Sequence, residues 1–156
     1  AMGHLRAKSP IPIATGEGLY TKFEFRDLLA HQAADIVQPD VCLMGGLWEM
    51  KKVATMAEAE YVMVAPHNPC GPVANAVNLH FALSTQNFLV LEYKPDDTPA
   101  RRDLVDEPMV LEDGYLLPPT RPGLGLDLNL AACSRHQYKA WHRPFLWRID
   151  GSFAYQ

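Results

Sequence analysis

No apolar run in this 156-residue chain approaches the roughly 20 residues that a membrane-spanning helix needs. No charged-then-apolar leader opens it either, so a membrane is not an expected partner. Cysteine is scarce. Cys42, Cys70 and Cys133 are odd in number and lack metal-ligand spacing. They read as reduced thiols of a cytoplasmic protein, and a structural zinc site is not expected. Basic clusters are missing too: Lys and Arg number 14 against 18 acidic residues, a net charge of −4, and they are scattered. A phosphate-binding face needs them gathered, so nucleic acid is excluded as a partner. Gly123-Leu124-Gly125 lacks the strand–glycine–helix setting of a dinucleotide fingerprint, and no low-complexity segment occurs.

What is present is a repeated pattern. Four strand-like apolar runs each end at one polar or charged residue. Ile11-Pro12-Ile13-Ala14-Thr15 leads to Glu17, Ile36-Val37-Gln38-Pro39 to Asp40, Tyr61 to Pro66 to His67, and Phe88-Leu89-Val90-Leu91 to Glu92. The intervals (17 to 40, 40 to 67, 67 to 92) are 23, 27 and 25 residues. A strand, a loop and a crossover helix need about that much chain. Repeated βα units build a parallel sheet, and chemistry sits at the carboxyl ends of its strands. The fold class expected is therefore α/β, with Glu17, Asp40, His67 and Glu92 along one rim. A lone strand-end acid is more often a helix cap, and an isolated His is more often structural. Four at the same topological point are harder to explain that way.

Between these runs the spacing predicts helices. Phe23, Phe25, Leu28, Leu29 and Ala33 can line the first, and Leu47, Met50, Val53, Ala54 and Ala57 the second. The third follows Gly71 with Pro72 in its first turn and runs through Val73, Ala76, Val77, His80 and Phe81. The strands lack strict alternation, as expected when both sheet faces are covered. Gly45-Gly46 is read as a site of tight loop packing, with anion binding at a helix start as the alternative. His31, His80, His136 and His142 are expected to be structural.

Three segments result. Residues 1–7 are set apart as a lead-in, because Ala1-Met2-Gly3-His4 has the look of a vector scar joined to a start codon. Residues 8–93 carry the βα pattern. Residues 94–156 hold a surface loop from Lys94 to Arg102, a hairpin turning at Asp113-Gly114, and a tail anchored by Trp141, Phe145 and Trp147.

The strand ends, with Gly45-Gly46 after Gln38-Pro39-Asp40, Ala65-Pro66-His67-Asn68-Pro69 before Gly71-Pro72, and the closing Pro122-Gly123-Leu124-Gly125-Leu126, resemble the enolase superfamily. The match is to its mandelate racemase/muconate lactonizing branch, and most closely to galactonate dehydratase-like acid-sugar dehydratases. The resemblance implies the C-terminal half, strands five to eight, of a TIM-type (β/α)7β barrel, plus a tail that packs on a capping domain. It implies Glu17 as a ligand of Mg²⁺, His67 as the base that removes the substrate's α-proton and Asp40 as its orienting partner. Glu92 would hydrogen-bond the substrate carboxylate. In this superfamily a His or Lys base works with Mg²⁺ that stabilises the ene-diolate, because the α-proton of a carboxylate is too weakly acidic for a base alone.

The family's other two metal carboxylates and the acid that expels the hydroxyl are implied on earlier strands, outside this sequence. Gly18 stands where several relatives carry a larger polar residue, and Cys70 where an aliphatic one is usual. The reading is thus the catalytic half of a Mg²⁺-dependent lyase acting on a sugar acid. The alternatives are a non-catalytic half barrel, or a racemase or epimerase of 2-hydroxy acids. The chain by itself is expected to be inactive. Unpaired strand edges and the aromatic tail imply a homo-oligomer.

Overall fold

The computed structural model describes residues 1–96, 98–140 and 146–154. Its first half is a run of βα units. Helix α1 (Met2–Lys8) precedes β1 (Ala14–Thr15), α2 (Lys22–Ala30), β2 (Ile36–Val37), α3 (Leu47–Ala59), β3 (Met63–Val64) and α4 (Pro72–Leu83). The three strands are parallel in the order β1-β2-β3, with Ala14 opposite Ile36 and Ile36 opposite Met63. A fourth parallel position follows, where Val64 bridges Phe88. The ladder is held there by Val64 N–H to the Asn87 carbonyl and Leu89 N–H to the Val64 carbonyl.

The helices form where the spacing predicts them. Thr21 caps α2 through a capping box with Glu24, Pro72 occupies the first turn of α4, and α2, α3 and α4 each bury apolar residues against the sheet. Phe25, Leu29, Met50, Val53, Ala54, Ala57 and Phe81 join Val37 and Val64 in a single core. The predicted stripes err at their edges: Phe23 is 58% exposed, and Leu47 and Val73 are also exposed.

Both faces of the sheet were expected to be covered, and one is not. Val37 and Val64 are fully buried beneath the helices. Their neighbours Ile36 and Met63, which point to the opposite face by the period-two rule, are only half-buried, and Ala14 is exposed.

Two glycine readings separate here. Gly45 and Gly46 have φ of 89° and 99° and open space around them. Backbone conformation explains them, and the expected tight packing does not. Gly16 is the position that does need close approach. Its φ is 130°, and a Cβ there would lie 2.8 Å from the Phe25 ring and 3.2 Å from the Gln38 nitrogen.

The lead-in is structured. Arg6 of α1 donates through Nε to Asp35 Oδ1 at 2.7 Å, while Asp35 Oδ2 accepts from Ile13 N–H at 2.8 Å. One carboxylate thus ties α1 and the approach to β1 to the start of β2. The Ile13 amide, then Arg6, hold the Asp35 carboxyl below its ordinary range.

The later segment opens with a short helix α5 (Pro99–Arg102), where the sequence reading has only a surface loop. Strands β4 (Leu111–Glu112) and β5 (Tyr115–Leu116) then form the expected hairpin. Asp113 and Gly114 at its turn have φ of 48° and 83°, as a two-residue type I′ turn requires. Arg121 ties the return of the chain together through Asp106, Glu107 and Asp127. Helix α6 (Leu130–Arg135) and the strand pair β6 (Leu146–Trp147) and β7 (Phe153–Ala154) complete the described elements. Of the predicted tail anchors, Trp141, Phe145 and the side chain of Trp147 lie outside the described residues.

Two outcomes follow for stability. Gly16→Ala, which adds a Cβ against the Phe25 ring at positive φ, is expected to cost about 1–3 kcal/mol, read as a lower urea midpoint; an unchanged midpoint contradicts the packing. Asp35 has a depressed carboxyl pKa, so its contribution is present above the ordinary carboxylate range and is lost as pH falls through its folded pKa. Asp35→Asn should therefore destabilise at neutral pH and shrink the loss of stability on acidification. A variant with the same acid sensitivity as the parent rules this out.

Candidate functional site

The backbone ladder runs on past the short strands. Gln38 N–H bonds the Thr15 carbonyl, Ala65 N–H the Val37 carbonyl, and His67 N–H the Pro39 carbonyl. Asp40 and His67 therefore leave neighbouring strand ends side by side, since parallel strands lie about 4.8 Å apart. Gly16, pressed against Phe25, brings Glu17 to the same edge.

His67 is the hub of this rim. Its Nδ1 lies 2.9 Å from Asp40 Oδ2, and its Nε2 lies 3.4 Å from Glu17 Oε2. The imidazole is about one-fifth exposed, whereas the Glu17 carboxylate is 68% exposed. Asp40 is buried at 3%. Its Oδ1 accepts from Cys42 N–H at 2.7 Å, so the turn after β2 fixes one oxygen and leaves the other for the imidazole. A carboxylate beside Nδ1 favours the tautomer that donates there, and Nε2 faces the Glu17 carboxylate at the rim.

Glu92 stands one step along the rim. Its Oε2 accepts from Asn68 N–H at 2.7 Å, which pins the residue after His67 to the fourth strand position. All four predicted residues thus lie at the carboxyl ends of the parallel strands. Glu17, Asp40 and His67 meet directly, and Glu92 reaches the His67 loop through the backbone of Asn68.

Sequence reasoning missed the layer beneath. Asn68 and Asn75 are fully buried. Asn68 Nδ2 donates to Asn75 Oδ1 at 2.7 Å and to the Glu92 carbonyl at 3.0 Å, and Asn75 Nδ2 donates to the Lys94 carbonyl at 3.1 Å. This chain of amides staples the His67 loop, the first turn of α4 and the segment after Phe88 together. The available signal was an amide on the apolar stripe of α4, because a buried amide must find partners. Arg101 was also missed: from α5 it donates through Nη2 to the Cys70 carbonyl, closing the far side of the loop. Among the described residues the other histidines stay outside the site. His31 bonds the Asp27 carbonyl through Nδ1, and His136 pairs with Asp103. His80 is half-buried on α4, and His142 lies outside the described residues.

Comparison with known proteins places this arrangement. Residues 1–132 match the family model for enolase C-terminal domain-like proteins. The match includes the segment that the sequence reading sets apart as a lead-in. The chain is 40% identical over 125 residues to the D-xylonate dehydratase of Haloferax volcanii, covering 80% of this chain and 30% of that protein. It is 36% identical to the D-galactonate dehydratase of Verminephrobacter eiseniae, covering 96% of this chain and 41% of that one. Among solved structures, an enolase from Agrobacterium radiobacter bound to sodium and L-malate superposes with a TM-score of 0.90 at 41% identity. That alignment covers 99% of this chain and 43% of the other. A mandelate racemase/muconate lactonizing enzyme from Jannaschia sp. CCS1 gives 0.81 at 40% identity, over 90% of this chain and 36% of its own. The chain therefore spans less than half the length of these relatives. Four parallel strand positions, helices on one face and a polar rim at the carboxyl ends are the strands five to eight of a TIM-type barrel, and the chain belongs to the enolase C-terminal domain-like family.

Proposed function

We propose that this chain is the proton-abstracting half of an acid-sugar dehydratase of the galactonate type. The observation that carries the reading is His67, with Nδ1 on the buried Asp40 carboxylate and Nε2 turned to the rim beside the exposed Glu17. In this reading the Nε2 lone pair takes the proton from the carbon next to the substrate carboxylate, and the electron pair left behind moves onto the carboxylate oxygens. Asp40 holds the ring and stabilises the imidazolium that results. Glu92, beside Asn68 at the next strand position, faces the substrate carboxylate. The similarity to D-galactonate and D-xylonate dehydratases supports the substrate class.

Mg²⁺ is the ion this chemistry calls for, and the donor set fits one position of its shell. Mg²⁺ takes near-octahedral oxygen ligation with one or two carboxylates, substrate oxygens and waters. Glu17 is exposed, and among the described residues only His67 contacts its carboxylate. Asp40 and Glu92 each already accept hydrogen bonds from this chain. Among the described residues Glu17 is the rim carboxylate most open to an ion, and a bound Mg²⁺ would offset negative charge developing on the substrate. The remaining carboxylates, and the acid that expels the hydroxyl, would come from parts of a longer protein. Self-association through the unpaired edge of β1 belongs to the same reading.

Two measurements test it. In a full-length protein carrying this half, His67→Asn should abolish exchange of the substrate's α-hydrogen with D₂O, read by NMR. Metal affinity should stay within about twofold, because the base is not a ligand. Retained exchange removes His67 from the role of base, and exchange without loss of water in the parent protein favours a racemase or epimerase.

The 156-residue chain alone should leave galactonate and gluconate unchanged in the presence of Mg²⁺. Measurable turnover by that chain would show that one carboxylate ligand suffices.

A further inference from the structure

The proposed reaction uses none of the three cysteines, and two of them meet at the site. Cys42 follows the end of β2 and Cys70 follows the end of β3. A carboxylate oxygen of Asp40, the Cys42 sulfur and the Cys70 sulfur all lie within 4.8 Å of one another, with Cys70 Sγ 4.0 Å from Asp40 Oδ2. Cys42 is exposed, Cys70 is half-buried and both are free thiols. They border a cavity of about 540 Å³ whose walls include Val41, Leu47, Pro72 and Val77. Solvent can therefore reach the cluster from one side.

From this juxtaposition we propose that Asp40, Cys42 and Cys70 form a binding site for a soft divalent cation of the Zn²⁺ class. The site is distinct in chemistry from the Mg²⁺ position at Glu17. Zn²⁺ binds thiolate sulfur at about 2.3 Å and carboxylate oxygen at about 2.0–2.2 Å, so tetrahedral ligands sit roughly 3.5–3.8 Å apart. The cluster is within about 1 Å of that spacing, and the exposed Cys42 side chain has freedom to close the gap. The cavity leaves a fourth position for water. Thiolates select Zn²⁺ or Cd²⁺ and discriminate against Mg²⁺.

Because the thiols must lose protons to bind, metal affinity rises with pH. One consequence rests on the proposed role of His67: Asp40 Oδ2 is also the oxygen that faces His67 Nδ1, so a bound ion competes for the carboxylate that orients the base.

The test uses the whole chain, a phosphine reductant and Cd²⁺ as the probe, followed by the ultraviolet thiolate-to-cadmium absorption band. One equivalent should saturate the band, and excess Mg²⁺ should leave it in place. The band should persist in Cys133→Ser and disappear in the double variant Cys42→Ser/Cys70→Ser. Cys42→Ala, at an exposed position where folding is not at stake, should weaken binding at least about tenfold, as should Asp40→Asn; loss of an outer-shell partner alone costs 10–100-fold. No band in the parent chain overturns the site. So does a band that survives the double variant, or an unchanged affinity in Cys42→Ala. An unchanged affinity in Asp40→Asn removes the carboxylate from it. His67→Asn should keep the band, so this outcome is read independently of catalysis.

Discussion

The parallel backbone ladder is the constraint on which the site depends. Each strand is two residues long by its regular pairing, yet ladder bonds continue from Thr15 to Gln38, from Val37 to Ala65 and from Pro39 to His67. A one-residue slip would turn every side chain to the other face. Asp40 and His67 would then separate, and Val37 and Val64 would leave the core. The register that fills the core is the register that pairs the imidazole with its carboxylate. Packing and site geometry are two readings of one constraint.

Beneath the rim, polar groups do work that apolar packing could not. The loop after His67 must hold a fixed path between two strands while leaving its upper side open. Buried amides on Asn68 and Asn75, together with Glu92, tie that path to α4 and to the following segment. A net gain of about 0.5–1.5 kcal/mol is usual for each such bond, and an unsatisfied buried partner costs more. The arrangement is therefore directional: the loop follows the path on which Asn68 Nδ2 and Asn75 find their partners. Arg101 braces its other side at the Cys70 carbonyl. The same bracing holds Cys70 beside Asp40, so the orientation of the imidazole and the cysteine cluster share one support.

The half-buried face of the sheet is the other structural fact with functional weight. Helices cover Val37 and Val64, whereas Ile36 and Met63 on the opposite face keep part of their surface in solvent. In a closed barrel that face is the packed interior. The exposed Glu17 carboxylate has the same character. Both sit where other strands would stand, in keeping with a chain that spans less than half of its relatives.

Much of this was legible in the residues. Four apolar runs at near-equal intervals announce βα units, because strand, turn and helix have fixed lengths. Glu17, Asp40, His67 and Glu92 announce the rim, because a polar residue that ends a buried strand emerges at its carboxyl end. The Asp-Gly turn was equally plain, since few residues tolerate positive φ. The sequence could not say which face of a predicted helix stays wet at its margins, as Phe23 and Val73 show, because that depends on the neighbour's reach. Nor could it show that Gly16 rather than Gly45-Gly46 marks close packing, or that Asn75 lies under the His67 loop. Cys42 and Cys70 are 28 residues apart in the chain and carry no spacing motif. Only the ladder, which sets the ends of β2 and β3 side by side, brings both sulfurs to the Asp40 carboxylate. Local chemistry is written along the chain, but proximity between distant residues exists only once the sheet has chosen its register.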